Sequence, residues 1–491
     1  MNNAKKVFSL MSAIALSLAL IVSIAGCNDS SNSDSETPVP NSPPKNVIFF
    51  LGDGMGMTTM TAARIYKVGE DGSLTIDTLP ETGFVKTFSN DAQVTDSAPS
   101  MSSYMTGVKM NNEVVSMSSD TKAFTTSNNI VTNYASNGET TCPPAGNGTP
   151  VTTALELAKA AGLATGVVST ARLTHATPAA TYAHICHRDG EYEIARQAVP
   201  GGVGFNTKLG DGVDVMLGGI STYWRPVGAV QAGRGRIDGR DLTVEMKAKG
   251  YTYATSKTEF DAAPVTAGSK LFGLFDFAVA QGHMSYELDR DPSKEPSIAE
   301  MTAKAIDILS KNKKGYFLMV EAGRIDHALH ATNAKRALAD VVALDEAVKL
   351  AISKVDLANT LIIVTADHDH TMILNGYAQR TGPTTATNAG VLGMVKDPVD
   401  GAVAKDIQGL GYGILGFGNG ENRPLTRTAL TDFQTSANDY KQEAAVPTSA
   451  GSETHGGADV FIGAIGKGAD AVAGVMDNSV VFAIIKNALG L

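Results

Sequence analysis

The chain has 491 residues, of which 43% are apolar and 18% are charged, so it has ample material for a large hydrophobic core. Its formal net charge of −10 argues against nucleic acid as the main partner. An acidic protein can still bind phosphate, because bound metal ions dominate the charge around a site.

The first 44 residues have the pattern of a targeting segment followed by a tether. Two lysines precede the apolar stretch 7–24, and a cysteine, Cys27, follows Ala25-Gly26. The segment from Ala25 to Cys27 at the end of the apolar stretch resembles a bacterial lipobox, which predicts a signal peptide over 1–26 and a lipid on Cys27. A plain signal peptide and a membrane-spanning anchor are the alternatives. Residues 27–44 are rich in Ser, Asn, Asp and Pro, and we expect a disordered tether there. The protein would then be exported and anchored to a bacterial membrane, facing the periplasm or the exterior.

Four short apolar runs predict strands that are buried on both faces, as in parallel sheets. They occupy 47–51, 165–170, 316–320 and 361–365, and helical patterns over 153–161, 297–312 and 333–355 lie between them. This alternation predicts an α/β fold with a doubly wound, mostly parallel central sheet and helices on both faces. Residues 45–491 would form a single large domain, with a crown-like insertion at about 373–452, where the periodicity is weak.

Two early segments place a carboxylate and a serine at the ends of predicted elements. The glycine-rich segment 52–56 follows the first strand but lacks the Lys-Ser/Thr ending of a P-loop, so it predicts only a tight turn that holds Asp53. Pro99 favours the first turn of a helix, which would put Ser97 at a helix N-terminus, where backbone N–H groups stabilise an anion. A simple N-cap at Asp96 or Ser97 would explain this segment equally well.

Two later clusters combine carboxylates and imidazoles at the spacing of metal ligands. Asp326 and His330 are four residues apart and would share one helix face, just after Glu321 at a strand end. The run Asp-His-Asp-His at 367–370 follows another strand end, where open α/β sheets place their sites. A surface loop with chance acids and histidines is the alternative for each cluster. Five of the nine histidines fall in these clusters and at His455, which favours a metal site.

Taken in chain order, these segments resemble the alkaline phosphatase family. The matching stretches are 46–56, 94–98, 169–188, 287–291 with 295–297, 320–330, 365–370 and 453–457, and they span most of the chain from Asn46 onward. The resemblance implies an enzyme that hydrolyses small-molecule phosphate monoesters through a phosphoserine, with two zinc ions and one magnesium ion as cofactors.

Carried over position by position, the resemblance implies a role for each matching residue. Ser97 would be the nucleophile, and Arg188 would grip two phosphate oxygens, a task suited to the forked guanidinium. The metal ligands implied are Asp326, His330 and His455 for one zinc, Asp53, Asp367 and His368 for the other, and Asp53, Thr177 and Glu321 for magnesium. His370 would support the second zinc site, and His175 and His327 would lie beside the third site, as in the animal enzymes.

Related hydrolases are the alternatives to this assignment. A sulfatase needs Cys/Ser-x-Pro-x-Arg, and neither the segment at Ser97 nor that at Cys142 has the arginine. A phosphodiesterase of the superfamily would keep the metals but lack an arginine at the phosphate, so Arg188 favours monoesters. A lipoprotein that binds metal or phosphate without turnover would have no need of Ser97.

Two further features stay open at the level of the sequence. Cys142 and Cys186 could pair as one disulfide in an exported protein, or remain two buried thiols. The family is usually dimeric, which makes a homodimer the expectation by resemblance, although no segment of this sequence identifies an interface.

Overall fold

The computed structural model describes residues 46–123, 146–229, 235–275 and 282–491. The predicted signal peptide (1–26) and tether (27–44), including Cys27, lie outside the described residues, as does Cys142. Cys186 is buried and disulfide-bonded, so it is not a free thiol. Within the described ranges, no helix is both long and apolar enough to cross a membrane.

The strands and helices of the described residues alternate along most of the chain. The strands are β1 (Asn46–Gly52), β2 (Glu81–Lys86), β3 (Ala164–Arg172), β4 (Val215–Gly219), β5 (Tyr251–Ala254), β6 (Lys270–Leu274), β7 (Tyr316–Ala322), β8 (Thr360–Ala366), β9 (Asp369–His370), β10 (Met372–Leu374), β11 (Leu415–Gly420), β12 (Ala444–Pro447), β13 (His455–Gly456), β14 (Val460–Gly466) and β15 (Gly474–Asp477). The helices are α1 (Met57–Val68), α2 (Ser97–Thr106), α3 (Ala154–Ala160), α4 (Ala176–Tyr182), α5 (Glu191–Gln197), α6 (Leu242–Ala248), α7 (Lys257–Ala262), α8 (Ile298–Leu309), α9 (Arg324–His330), α10 (Ala334–Lys354), α11 (Asp432–Thr435) and α12 (Asn478–Leu489).

Ten of these strands form the central sheet, in the order β15-β2-β14-β8-β1-β7-β3-β4-β6-β5. All neighbouring pairs from β8 to β5 are parallel, and β14 runs antiparallel to both of its neighbours. The four apolar runs became the four adjacent strands β8, β1, β7 and β3, because strands at the centre of such a sheet are covered on both faces. The predicted mostly parallel α/β fold is confirmed.

Helices cover both faces of this sheet. In one group α1, α8 and α9 pack against α10, and in a second group α3, α4 and α12 pack with α2. Both groups contact the central strands β1, β7 and β3, but among the described residues no helix of one group packs extensively against a helix of the other, so the groups lie on opposite faces. Helix α8 begins with a capping box, in which Ser297 and Glu300 each accept a hydrogen bond from the other's backbone N–H.

The register of the central strands aligns their carboxyl ends. Gly52, the last residue of β1, lies beside Ala322 of β7 and Ala366 of β8. Side chains that follow these strands therefore meet at one edge of the sheet, as open α/β sheets require for their sites. Asp53 and Asp367 each follow directly after one of these strands.

The segment between β9 and β13 contains a second, three-stranded sheet in the order β10-β11-β12. Its two ends return to the same place, because β9 and β13 pair antiparallel, with His455 beside His370. This two-residue ladder brings the last predicted imidazole, from residue 455, next to the cluster at 367–370.

Candidate active site

The turn after β1 holds two carboxylates together. Gly54 has φ 66°, a left-handed conformation that suits glycine, and its N–H donates to Asp367 Oδ1 at 3.0 Å. A Cβ at Gly54 would overlap the His370 ring. The glycine therefore lets the backbone approach the histidine cluster and leaves Asp53 and Asp367 side by side.

Ser97 lies at the first position of α2, as the sequence predicted. Asp96 is the N-cap, and its Oδ1 accepts a hydrogen bond from Ala98 N at 2.7 Å. Ser97 is 1% exposed, and its Oγ lies 3.4 Å from Asp53 Oδ1 and 3.2 Å from His368 Nε2. The hydroxyl is thus directed at the carboxylates and imidazole that follow the strands.

Ser97 Oγ and three neighbouring ligand atoms have the spacing of a zinc site. His368 Nε2 lies 3.4 Å from both Asp53 Oδ1 and Asp367 Oδ2, in addition to its contact with Ser97. Zinc bonds to nitrogen and oxygen of about 2.0–2.1 Å put tetrahedral ligands about 3.3 Å apart. Asp53, Asp367 and His368, which the sequence grouped in one set, therefore fit a tetrahedral zinc ion with Ser97 Oγ in the remaining position.

The set of Asp326, His330 and His455 fits zinc equally well. Asp326 Oδ1 lies 3.2 Å from His330 Nε2 and 3.4 Å from His455 Nε2, and the two imidazole nitrogens are 3.2 Å apart. Asp326 and His330 share one face of α9, and the β9–β13 ladder supplies His455. Each imidazole also has its other nitrogen on a backbone carbonyl, that of Glu453 for His330 and that of Thr95 for His455. Such outer contacts fix the tautomer of a metal-binding histidine.

His370 lies closer to this set than the sequence indicated. Its Nε2 is 2.8 Å from Asp326 Oδ1, and its Nδ1 is 2.5 Å from Glu453 Oε2. Its ligand atom belongs to one group with those of Asp326, His368 and His455. His370 therefore supports Asp326 directly and lies near His368 of the other set. Glu453 is a partner that sequence reasoning did not single out.

A third group of polar atoms converges beside Asp53. Asp53 Oδ2, Thr177 Oγ1, Glu321 Oε1 and His175 Nδ1 are buried and have no hydrogen-bond partner among the described residues. Ligand atoms of Asp53, His175 and Glu321 lie within 4.8 Å of one another. Buried polar atoms are rarely left unpartnered, so this set fits a cation that the oxygen atoms would hold.

Three carboxyl groups around Ser97 and the third group, those of Asp53, Asp367 and Glu321, have raised pKa values. Burial, together with the nearby Asp326 carboxylate, raises the pKa of Asp53 to about 7, and burial with repulsion from Asp53 raises the pKa of Asp367 to about 7. The same causes raise the pKa of Glu321 well above its ordinary value. A dense group of buried acids of this kind is ionised only when cations balance its charge, which agrees with the metal-like spacing.

Arg188 lies beside Ser97 with its guanidinium held on two sides. NH1 donates to Asp96 Oδ1 at 2.9 Å, and NH2 lies 3.1 Å from His175 Nε2. Its backbone N–H donates to Glu113 O at 2.7 Å. Burial alone would lower the pKa of Arg188, but the carboxylates of Asp96 and Glu113 raise it, so the group stays charged. The Arg188 side chain is 15% exposed.

Three histidine rings cluster next to Arg188 and the third group, in edge-to-face and tilted arrangements. The ring centroid of His175 is 5.3 Å from that of His327 and 5.7 Å from that of His283, and the last two are 4.0 Å apart. His283 is 1% exposed and also contacts Arg172. Sequence reasoning missed His283, because a lone histidine between Gly and Met in a loop carries no pattern.

Known proteins resemble this chain in amino-acid sequence. The sequence model of the alkaline phosphatase family matches residues 44–491. The chain belongs to the alkaline phosphatase family. The tissue-nonspecific alkaline phosphatase of Gallus gallus is 38% identical over 465 residues, covering 89% of this chain and 83% of that protein. The corresponding Homo sapiens isozyme is 35% identical over 463 residues, covering 89% and 82%.

Solved structures of alkaline phosphatases share the fold. The Thermus thermophilus enzyme has a TM-score of 0.63 at 25% identity, covering 94% of this chain and 96% of its own. The enzyme of the Antarctic bacterium TAB5 has a TM-score of 0.60 at 22% identity, covering 91% and 98%. A mutant of the TAB5 enzyme is described with magnesium bound in its M3 site.

The structure gathers the residues that the resemblance to alkaline phosphatases singled out. Each of them lies in the described residues and around one edge of the central sheet. They are Asp53, Ser97, His175, Thr177, Arg188, Glu321, Asp326, His327, His330, Asp367, His368, His370 and His455. Their individual roles belong to the proposal that follows.

Proposed function

We propose that this member of the alkaline phosphatase family hydrolyses phosphate monoesters through a covalent phosphoserine at Ser97. The observation that carries the proposal is the position of Ser97 Oγ, 3.4 Å from Asp53 Oδ1 and 3.2 Å from His368 Nε2, where it completes a four-atom set of tetrahedral spacing. A protein that only bound metal or phosphate would need no hydroxyl there. The guanidinium of Arg188 favours monoesters, which present free phosphate oxygens to a forked donor.

The donor sets support two zinc ions and one magnesium ion as cofactors. One zinc would be held by Asp326, His330 and His455, and the other by Asp53, Asp367 and His368, since imidazole with carboxylate suits zinc. Magnesium prefers oxygen ligands, which Asp53, Thr177 and Glu321 offer. Bound there, the zinc ions would supply Lewis-acid stabilisation of negative charge on the attacking and departing oxygens.

In the first half-reaction Ser97 Oγ attacks phosphorus. The new bond joins Oγ to phosphorus as the Ser97 hydroxyl gives up its proton, and the bond from phosphorus to the ester oxygen breaks. The departing oxygen takes up one proton and leaves as the alcohol, so the proton lost by Ser97 is balanced. Arg188 donates to two of the free phosphate oxygens and orients the group in line with Oγ. The N-terminus of α2 adds backbone N–H groups and a favourable dipole beside the developing charge.

In the second half-reaction water replaces Ser97. The water oxygen bonds to phosphorus as the water gives up a proton, the bond from phosphorus to Ser97 Oγ breaks, and Ser97 takes up a proton. One water is therefore consumed for each ester cleaved. Arg188 holds the same phosphate oxygens throughout. Release of inorganic phosphate then requires that Arg188 does not bind it too tightly.

The test is hydrolysis of a chromogenic phosphate monoester, compared with the matching diester. We expect rapid turnover of the monoester, loss of activity with a chelator, and its return when zinc and magnesium are added. Arg188→Ala should reduce monoester turnover much more than diester turnover. An enzyme that prefers the diester, or whose activity survives complete metal removal, would contradict the proposal.

We also propose that the chain is exported, lipid-anchored at Cys27 to a bacterial membrane, and tethered by residues 27–44. The lipobox-like ending at Ala25-Gly26 before Cys27 supports this. By analogy with its family we propose a homodimer in solution, which sedimentation analysis of the mature protein would test. A monomer at micromolar concentration would contradict that assignment.

A further inference from the structure

Glu113 has a backbone conformation that non-glycine residues rarely adopt. Its φ is 71°, in the left-handed region, and among the described residues only three other non-glycine residues have a positive φ. Glycine adopts this conformation freely, whereas a side chain with a Cβ is crowded in it. Backbone strain of this kind persists only where surrounding contacts impose it, and it is concentrated at functional sites. The contacts of the Glu113 backbone therefore show what imposes the strain.

The N–H and the C=O of Glu113 both bind residues at the phosphate-binding side of the site. The N–H donates to Asp96 Oδ2 at 2.5 Å, and the carbonyl oxygen accepts from Arg188 N at 2.7 Å. In an extended strand the N–H and C=O of one residue point towards the same neighbour. The left-handed turn instead directs them to two different partners, so both bonds depend on the conformation of Glu113.

These two bonds hold Arg188 at both of its ends. The bond from Arg188 N fixes the backbone from which the side chain extends. The guanidinium is held by Asp96, whose Oδ1 accepts from Arg188 NH1 at 2.9 Å and from Ala98 N at 2.7 Å. The N–H of Glu113 adds a third hydrogen bond to the same carboxylate. Asp96 can therefore rotate only by breaking bonds to helix α2, to Arg188 and to Glu113.

The segment that carries Glu113 is fixed to the helix that begins at the nucleophile. Val115 and Ile185 form an antiparallel bridge with two N–H···O hydrogen bonds of 3.0 Å. The N–H of Ser116 donates to the Oγ of Ser102 in α2 at 2.8 Å. The backbone of Glu113 therefore has a defined position relative to α2 and can act as a fixed support for the arginine.

The side chain of Glu113 takes no part in these hydrogen bonds. It is 42% exposed, and its Oε2 lies 4.0 Å from His187 Nε2, beyond hydrogen-bond distance. Its negative charge acts on Arg188 through space. Charge and conformation can be varied separately at this position, because uncharged residues differ widely in their tolerance of a positive φ.

We propose, on the basis of the role of Arg188 in the proposed function, that Glu113 is a positioning residue whose left-handed backbone orients Arg188 for phosphate. The requirement is for the backbone conformation and not for the carboxylate. A residue that adopts a positive φ readily preserves phosphate binding. A residue that resists a positive φ turns the peptide groups away and releases both Arg188 N and Asp96.

Two uncharged variants of similar size separate conformation from charge. Asn is enriched in left-handed conformations, whereas the β-branched Val strongly resists them. Glu113→Asn should keep both backbone hydrogen bonds, and Glu113→Val should lose them. Glu113→Gly is the rescue variant, because it removes the whole side chain and keeps the conformation. Glu113→Ala, which resists the conformation less than Val, replaces Glu113→Val if that protein does not fold.

The first measurement is the Kd of inorganic phosphate, by calorimetry at alkaline pH on the metal-loaded variants. Glu113→Asn and Glu113→Gly should bind phosphate equally well. Glu113→Val should bind it about tenfold more weakly than Glu113→Asn, the effect of one charge-assisted hydrogen bond. Because all three variants lack the carboxylate, the loss of charge cannot account for this difference.

The second measurement repeats the comparison of Asn with Val at position 113 in an Arg188→Ala background. The tenfold difference should disappear there, because no guanidinium remains to be misplaced. A difference that persists without Arg188 would overturn the proposal, as would equal phosphate binding by Glu113→Asn and Glu113→Val when Arg188 is present. Turnover of the monoester by the wild type tests the proposed function separately, since the positioning role concerns only the differences between variants.

Discussion

The turn at Gly54 offers a way to disturb the metal sets without changing any ligand. In Gly54→Ala the new Cβ would meet the His370 ring, at 2.5 Å from its Nε2. His370 is fully enclosed and hydrogen-bonded to Asp326 and Glu453, so it can yield only by moving away from both. Gly382→Ala is the matched control, because Gly382 has the same φ of 66° and no atom within 4 Å of the added Cβ.

The two variants share one cost and differ in another. Both place an alanine in a left-handed conformation, which costs about 1–2 kcal/mol of folding free energy. Gly54→Ala must in addition displace the His370 ring by roughly 1 Å, a shift of the size that reduces catalysis ~100-fold when it reaches reacting groups. Loss of a contact that supports a metal ligand typically weakens metal binding about 10- to 100-fold. We therefore expect Gly54→Ala to be less stable than Gly382→Ala in the metal-free form, because it also weakens the buried hydrogen bonds of His370, and to bind zinc much more weakly.

The assay is zinc competition with a chromogenic chelator, performed on both variants and the wild type, together with calorimetric melting of the metal-free proteins. Gly382→Ala should hold zinc as the wild type does. If Gly54→Ala also holds zinc as tightly as the wild type, then His370 and its contact with Asp326 do not organise the metal set, and the reasoning is refuted.

Three other predictions address the nucleophile, the anchor and the charge near Arg188. In wild type, brief incubation with labelled phosphate at low pH followed by denaturation should label the Ser97 peptide, while Ser97→Ala should take up no label and keep its zinc; label on another peptide would contradict the assignment. Cys27→Ser should move from the membrane to the soluble fraction, and wild-type protein that is already soluble would show that the lipobox interpretation is wrong. Burial and the neighbouring Asp96 raise the pKa of Glu113 to about 7, so its carboxylate is charged above that pH and neutral below it. Near pH 8.5, Glu113→Gln should thus bind phosphate about threefold more tightly than the wild type, a modest factor because the Glu113 carboxylate is partly exposed. Near pH 5.5 the variant and the wild type should bind phosphate equally. If calorimetry shows the same difference at both pH values, the charge of Glu113 is not the cause.

The parts of the site that depend on the sheet could be predicted from the sequence. A buried parallel strand needs a continuous apolar run, and its carboxyl end is where side chains of a site are placed, so Asp53 and Asp367 could be expected at one edge. Asp326 and His330 followed from the four-residue spacing of a helix face. These inferences use neighbours in sequence, where local geometry limits the choices.

Contacts across long separations could not be predicted in the same way. His370 and Glu453 are 83 residues apart, and only the pairing of β9 with β13 brings them within hydrogen-bond distance. His283 comes from a loop after β6, and nothing in its local sequence indicates that it packs against His327. The resemblance supplied the ligand sets, but the hydrogen bond from His370 to Asp326 depends on distances that only the folded chain defines.

The pairing of β9 with β13 also determines how freely the insertion can change. The chain leaves the site after His370, builds the small sheet, and comes back at Glu453, whose carboxylate accepts hydrogen bonds from the side chain and backbone of Thr371. Both ends of the insertion are therefore held in place by the pairing of β9 with β13. Closing a longer loop between them adds little entropic cost. Related chains could lengthen, shorten or replace the insertion and so reshape the entrance for different substrates, while the residues at the centre keep their places.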